Sequence, residues 1–257
     1  MGQHCVDCVG EAASSVRVAT AAPTLNTTGA DRRRPVVTYG LIAVNVVVFL
    51  ACVLQAGSAT NLLNSSIMQQ GALISGAGFE NEYWRLFTSG FLHWSVLHVA
   101  VNMISLYLIG ADLERVFGPA RYFAVYLIGL LGGSAAVMAL ESGPKITAGA
   151  SGAVYGLLGA LLVVVLRLKL PATNVIAVIV INVVLSFSIT GISLLGHLGG
   201  LVFGAAAALA VLWVPMKVLP PEKQTYQHVT RIGWYGLALL FVIALVIGTG
   251  FAAEASL

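Results

Sequence analysis

One stretch of this sequence limits its fold more than any other. Between Lys169 and Lys217 lie 47 consecutive residues without a charged side chain. A helix needs about 20 apolar residues to cross a hydrocarbon core about 30 Å thick, so this stretch is long enough for two crossings. Over the whole chain 58% of the residues are hydrophobic and 9% are charged, whereas a soluble domain has about 25% charged residues. The sequence therefore predicts a membrane protein and excludes a large soluble core, whose helices would need charged faces.

Seven apolar stretches are long enough to cross a membrane as helices. The polar cluster from Ser186 to Ser193 divides the long uncharged stretch, and the fifth and sixth helices are expected to turn there. The predicted spans are residues 35–54, 91–111, 122–140, 146–166, 171–190, 194–214 and 232–253. The predicted domains are a cytoplasmic tail at 1–34, a six-helix core at 35–214, a cytoplasmic linker at 215–231, and a seventh helix with a short external tail at 232–257. The fold class is an all-α polytopic membrane protein.

The basic residues predict the orientation of the chain. With the arginine-rich segment at 32–34 on the inner side, 11 of the 13 Lys and Arg residues fall in inner segments, and only Arg85 and Lys145 fall outside. Cytoplasmic loops carry an excess of basic residues, so we expect the N-terminus in the cytoplasm and the C-terminus outside the cell. Short loops and the lack of a transit peptide favour the plasma membrane of a bacterium.

The connection at 55–90 differs from the others, which are short. It contains many large apolar or aromatic residues, among them Leu73, Trp84 and Leu86. A loop of this length is usually functional or disordered, and this composition favours a segment that packs at the membrane interface.

The N-terminal tail holds a small cluster of potential metal ligands. His4, Cys5 and Cys8 supply three ligands, whereas a structural zinc site usually has four. Cys52 lies in an apolar span and is expected to be a buried hydrophobic residue, so three cysteines form no disulfide framework. We predict no metal at the candidate site and no cofactor, and whether the tail binds a metal stays open.

Polar side chains within the spans are the candidates for a functional site. Such groups are costly in a membrane, so each of them needs an explanation. His98 and Asn102 lie four residues apart in the second span, Ser151 opens the fourth, and His197 lies near the start of the sixth. Taken singly, each fits a structural hydrogen bond. The three spans enter the membrane from the same side, however, so the groups share one depth. A serine, a histidine and hydrogen-bond donors at one depth are typical of nucleophilic hydrolysis.

These positions predict a mechanism. His197 removes the proton of Ser151, which attacks a peptide carbonyl and forms an acyl-enzyme. The backbone N–H of Ser151, together with His98 and Asn102, is expected to stabilise the oxyanion. No Asp or Glu lies within spans four to six, so the site is predicted to be a dyad. Tyr155, one turn from Ser151, is expected to stack on His197.

Small residues recur at every fourth position in the two helices that carry the proposed dyad. Such spacing lets two helix backbones approach closely, which would bring the serine and the histidine together. The residues are Gly152, Gly156 and Ala160 in the fourth span, and Gly196, Gly200 and Gly204 in the sixth.

In order and spacing, these features resemble the rhomboid intramembrane proteases over residues 37–214. The residues that carry the resemblance are Trp84-Arg85, His93, His98, Asn102, Glu114, Gly118, Gly149-Ala-Ser-Gly152, Tyr155 and His197-Leu-Gly-Gly200-Leu-Val-Phe-Gly204. The resemblance implies a six-helix core, here with an extra C-terminal helix, and a water-filled cavity open to the outside. It also implies transmembrane protein substrates, cut near the outer membrane face at small residues. Supporting roles fall to Gly149, Gly152, Tyr155 and His93, and a structural role to Glu114.

Other functions fit the pattern less well. A catalytically inactive rhomboid-like protein that binds membrane clients typically lacks the serine or the histidine, and this chain has both. A transporter or channel predicts inverted repeats or ionisable residues at the membrane midplane, and neither is visible. There is no HExxH motif and no pair of intramembrane aspartates, so other intramembrane proteases are disfavoured. The expected partners are transmembrane proteins and lipid, not nucleic acid; the oligomeric state and the substrate stay open.

Overall fold

A computed structural model describes residues 34–76, 82–188 and 192–254. Within these residues the chain forms ten α-helices, three short 3₁₀ helices and one two-stranded sheet. The helices are α1 (Val36–Ala56), α2 (Ser66–Gly71), α3 (Arg85–Thr88), α4 (Val96–Phe117), α5 (Pro119–Leu140), α6 (Ser151–Arg167), α7 (Thr173–Ser188), α8 (Leu194–Leu212), α9 (Val214–Val218) and α10 (Tyr226–Glu254). The strands are β1 (Leu73–Ser75) and β2 (Lys145–Thr147), and the 3₁₀ helices are Leu62–Asn64, Ser89–Phe91 and Pro221–Lys223.

Each of the seven predicted spans overlaps one of the longer helices. Among the described residues, five helices are long and apolar enough to cross a membrane, namely α1, α4, α5, α8 and α10. Helices α6 and α7 are also apolar, but they have only 17 and 16 residues and rise about 25 Å. The chain is therefore an all-α multi-pass membrane protein, which confirms the predicted fold class.

Two helix ends near the membrane surface differ from the predicted spans. Helix α4 begins at Val96 instead of near residue 91, because the side chain of Ser95 accepts a hydrogen bond from the backbone N–H of His98 and caps the helix. Helix α7 continues to Ser188, within the predicted span 171–190, and Ser186, the first residue of the polar cluster, lies inside the helix. Serines are common both in turns and in membrane helices, so the composition of the polar cluster alone does not separate its helical part from the turn.

The segment that follows α8 is also more helical than predicted. The short helix α9 continues from α8, and α10 begins at Tyr226, inside the expected linker at 215–231. The division of the chain into a core, a linker and a seventh helix stays a prediction. The potential metal ligands His4, Cys5 and Cys8 lie outside the described residues.

The described part of the long connection between α1 and α4 is folded and packed. Strand β1 pairs antiparallel with β2, which occupies the predicted start of the fourth span. Arg85 is buried and donates hydrogen bonds to the carbonyl oxygens of Gln69 and Ala72, and it forms an ion pair with Glu82. Several apolar residues of this connection are almost fully buried, among them Leu62, Met68 and Leu73. The described part of the connection therefore contributes to the hydrophobic core.

Helices α6 and α8 form the most closely packed pair in the core, with α5 beside them. A Cβ atom on Gly200 would collide with the carbonyl oxygen of Gly152, and one on Gly204 would collide with that of Gly156. Only glycine permits this approach, as the spacing of small residues predicted. The contact brings the starts of α6 and α8 together.

Glu114 connects α4 to the start of α1. Its buried carboxylate accepts hydrogen bonds from the backbone N–H groups of Val37 and Thr38 and from the hydroxyl of Thr38. The first N–H groups of a helix lack partners within the helix, and a carboxylate there is stabilised by the helix dipole. Glu114 is thus a structural residue distant from the candidate site, not a solvated end charge.

Candidate active site

Ser151 and His197 meet where α6 and α8 begin. Ser151 is the first residue of α6, and His197 lies in the first turn of α8. The Nε2 atom of His197 is 2.8 Å from the Oγ atom of Ser151, which is hydrogen-bond distance. His197 is buried, and Ser151 is half-buried. A serine and an imidazole in this geometry are able to act as a nucleophile and a general base.

Gly149 shapes the turn that precedes Ser151. Its φ angle is 149°, and its N–H donates a hydrogen bond to the carbonyl oxygen of Ser89 at 2.9 Å. A Cβ atom on residue 149 would lie 2.9 Å from Nε2 of His98 and 3.4 Å from Oγ of Ser151. A glycine here thus leaves the serine hydroxyl and the imidazole of His98 on either side of one small space. Gly152, the other glycine of the motif, makes the contact between α6 and α8.

His98 is oriented so that its Nε2 atom faces this space. Its Nδ1 atom lies 3.5 Å from the backbone N of Trp94, in a long hydrogen bond that the Trp94 N–H donates. An imidazole that accepts at Nδ1 carries its hydrogen on Nε2 when it is neutral. His98 therefore presents a donor beside Ser151. Asn102 lies one turn further along α4, where its side-chain amide donates to the carbonyl oxygen of His98 at 3.0 Å.

His93 is a packing neighbour of His98. The two rings meet edge to face, with centroids 5.1 Å apart. His93 is almost fully buried, and neither of its ring nitrogens has a hydrogen-bond partner among the residues that the structure describes. Its place behind His98 fits a supporting role.

Tyr155 and Ser186 flank the other side of His197. The ring of Tyr155 stacks on the imidazole, with centroids 4.0 Å apart and planes at 17°. The Oγ atom of Ser186, on α7, lies 2.6 Å from Nδ1 of His197. Sequence reasoning expected the stacking but missed Ser186. The signal was present, since Asn182 and Ser186 are polar residues four apart in an apolar span, as are His98 and Asn102.

A cavity of about 690 Å³ connects these groups. Its polar side chains include Ser151, His197, His98, Asn102 and Ser186. Apolar residues of α4 and α7 line it as well, namely Leu97, Val101 and Leu185. An apolar pocket with a few convergent polar groups is typical of a substrate site. Among the described residues, no group of three His, Cys, Asp or Glu side chains is placed to hold a metal ion.

The fold and the site together define a class of protein. It is a multi-pass membrane protein in which a serine and a histidine lie within hydrogen-bond distance at the starts of two helices. Residues 80–214, just over half of the chain, match the family model described as the Rhomboid domain. The chain therefore belongs to the rhomboid family.

Relatives extend this result. The chain is 36% identical over 184 residues to the rhomboid protease GluP of Bacillus subtilis (strain 168), which covers 69% of this chain and 35% of GluP. It is 26% identical over 210 residues to the rhomboid protease AarA of Providencia stuartii, covering 70% of this chain and 74% of AarA. It is also 30% identical over 170 residues to the inactive RHOMBOID-like protein 8 of Arabidopsis thaliana, covering 62% of this chain and 48% of that protein. The matched region thus spans about a third of the length of GluP. Membership of the rhomboid family supports intramembrane proteolysis as the general class of function.

Proposed function

We propose that this protein is an intramembrane serine endopeptidase with Ser151 as the nucleophile and His197 as the general base. The observation that carries the proposal is the 2.8 Å distance between Oγ of Ser151 and Nε2 of His197. The serine hydroxyl transfers its proton to Nε2 as Oγ attacks the carbonyl carbon of the scissile peptide bond. The imidazolium then protonates the leaving amine, and a water molecule, deprotonated by the same nitrogen, releases the acyl group.

The oxyanion of the tetrahedral intermediate has three candidate donors. The backbone N–H of Ser151 lies at the start of α6, where N–H groups lack partners within the helix and the dipole favours negative charge. His98 presents Nε2 beside the serine, as its bond from Trp94 indicates. Asn102 has a second amide hydrogen that its bond to His98 does not use. Donors fixed in advance at this position stabilise charge that develops only in the transition state.

The substrates that we propose are transmembrane proteins. The cavity is bordered by α4 and α7, whose outer faces carry exposed apolar residues such as Leu97 and Phe187. A polypeptide that approached Ser151 from the membrane would pass apolar side chains before it reached the polar groups at the helix starts. With the N-terminus in the cytoplasm, as the basic residues predict, these starts lie near the outer face of the plasma membrane. Cleavage is then expected near that face.

A second candidate function is client binding without cleavage, because one relative is named inactive. Cleavage of a single-span reporter protein in liposomes separates the two functions. Wild type is compared with Ser151→Ala and His197→Ala, and the matched controls are Ser188→Ala and His228→Ala, whose side chains are exposed. We expect cleavage by wild type and both controls, and a loss of at least about 10³-fold in Ser151→Ala and His197→Ala.

Other results would contradict the proposal. Equal cleavage by all five proteins would mean that Ser151 and His197 do not carry the activity. If none of them cleaves, labelling by a fluorophosphonate, which reacts with activated serines, decides the matter. Wild-type protein that stays unlabelled at Ser151 would favour client binding.

A further inference from the structure

We propose that Ser186 is a positioning residue that holds His197 in the tautomer able to deprotonate Ser151. The proposal rests on the function proposed for Ser151 and His197, and it adds to that pair a hydroxyl from a third helix, α7. The site is then an ordered group of hydrogen bonds that runs from α7 through the imidazole to the nucleophile.

The hydroxyl of Ser186 has three polar neighbours. Its Oγ atom lies 2.6 Å from Nδ1 of His197, 2.9 Å from the hydroxyl of Tyr155 and 2.7 Å from the carbonyl oxygen of Asn182. A serine hydroxyl donates one hydrogen bond and accepts two. The three neighbours therefore match its full capacity, and at 4% exposure it is closed to further partners.

The carbonyl oxygen of Asn182 determines the direction of each bond. A carbonyl has no hydrogen, so the Ser186 hydroxyl donates to it. The Ser186 oxygen then accepts from Tyr155 and from Nδ1 of His197. Because a neutral imidazole carries one hydrogen, Nε2 is left with a lone pair that faces Ser151. This is the tautomer that a general base needs.

The opposite tautomer is less favourable and unproductive. If Ser186 donated to Nδ1, its bond to the carbonyl of Asn182 would be lost, and Nε2 would direct a hydrogen at Ser151. The Nε2 atom of that imidazole has no lone pair with which to take the serine proton. The preference amounts to about one neutral hydrogen bond, which favours the productive tautomer by several-fold to about tenfold.

The position of Ser186 on α7 argues against a role in packing. It is the one buried residue of that helix, and its neighbours Leu185 and Phe187 are 46% and 82% exposed. A polar side chain in a membrane segment is costly unless it is hydrogen bonded. Helix α7 thus places a hydroxyl, and no large apolar side chain, at its buried contact with the core.

Ser186→Ala removes the acceptor for Nδ1–H, so both tautomers become populated. If the two tautomers become about equally populated, kcat is expected to fall about twofold while KM stays unchanged, because the substituted atom faces the imidazole. Ser186→Thr keeps a hydroxyl and is expected to restore most of the activity. The control is Ser188→Ala on the same helix. The hydroxyl of Ser188 donates to the carbonyl oxygen of Val184 at 2.7 Å, and its side chain is exposed. Ser188→Ala therefore removes an equivalent hydroxyl from the same helix at a position outside the site.

The direct test is the ¹⁵N NMR spectrum of His197 in protein labelled at histidine, recorded in micelles at a pH where the imidazoles are neutral. Signals of His197 are identified by their absence in His197→Gln. We expect a protonated Nδ1 and an unprotonated Nε2 in wild type and in Ser188→Ala, and a shift towards protonated Nε2 in Ser186→Ala. If Ser186→Ala does not fold, Ser186→Cys, a weaker acceptor of similar volume, takes its place.

Two results would overturn the proposal. One is an unchanged tautomer in Ser186→Ala, and the other is a kcat equal to that of Ser188→Ala. The NMR measurement needs no substrate. A wild-type protein that fails to cleave the reporter would therefore count against the proposed protease function, while the tautomer would still decide the role of Ser186.

Discussion

The phenol ring of Tyr155 lies almost parallel to the imidazole of His197, with ring centroids 4.0 Å apart and planes at 17°. The hydroxyl of the same tyrosine lies 2.9 Å from Oγ of Ser186, which in turn contacts Nδ1 of the imidazole. Tyr155 thus restrains His197 directly through its ring and indirectly through its hydroxyl. The two contributions are separable by substitution.

Tyr155→Phe is expected to lower kcat/KM less than threefold, and Tyr155→Ala at least tenfold. The phenylalanine ring keeps the stacking on His197 and removes only one of three hydrogen bonds at Ser186. Alanine removes the ring, and an aromatic contact of this kind contributes about 0.5–1.5 kcal/mol besides its burial. Steady-state kinetics with the reporter protein measures kcat/KM of the two variants. Equal losses in the two variants would show that the hydroxyl, and not the ring, restrains the imidazole.

His98→Ala is expected to lower kcat by about 10²–10³-fold, with KM little changed, because it removes an oxyanion donor. The loss in Asn102→Ala should be smaller, since one amide hydrogen of Asn102 already bonds the carbonyl oxygen of His98 and only the other is free. Single-turnover cleavage of the reporter reports this step. A larger loss in Asn102→Ala than in His98→Ala would reverse the assigned order of the two donors.

Gly200→Ala is expected to destabilise the protein by about 1–3 kcal/mol, because the new methyl group would collide with the backbone of Gly152. The helices α6 and α8 must then separate, which moves His197 away from Ser151 and lowers kcat at least tenfold. Gly40→Ala is the control, since Gly40 is also helical and has no atom within 4 Å of the added Cβ. Thermal unfolding in micelles compares the two. Similar midpoints would show that the close approach of α6 and α8 is not needed.

Glu114→Gln is expected to lower the free energy of unfolding by about 1–3 kcal/mol and to leave kcat of the folded protein unchanged. The amide cannot accept all three hydrogen bonds that Val37 and Thr38 donate to the carboxylate. Asp112→Asn is the control two residues away, because Asp112 is 74% exposed and forms a surface ion pair with Arg115. Unfolding curves and reporter kinetics together test this. A loss of kcat without a loss of stability would indicate that Glu114 acts on the site itself.

Much of the candidate site was predictable because its residues occupy helix starts. His98, Ser151 and His197 were expected at one depth, and the structure places Ser151 and His197 within 2.8 Å of each other. The stacking of Tyr155 and the close contact of Gly200 with Gly152 were also expected from their spacing. Such spacings relate residues within one helix, so they can be recognised in the sequence without knowledge of how the helices pack. The catalytic roles themselves stay predictions until the substitutions are measured.

The sequence by itself determined the fold class, and it predicted Ser151, His197 and His98 as members of the candidate site but not Ser186. Hydropathy is a sum over consecutive residues, and helical periodicity relates positions three and four apart, so both are present in the chain before it folds. Only the tertiary structure decided that the hydroxyl of Ser186 meets Nδ1 of His197, with Asn182 behind it. That contact depends on the rotation and register of α7 against α8. Packing of the whole bundle sets both, and no local pattern encodes them.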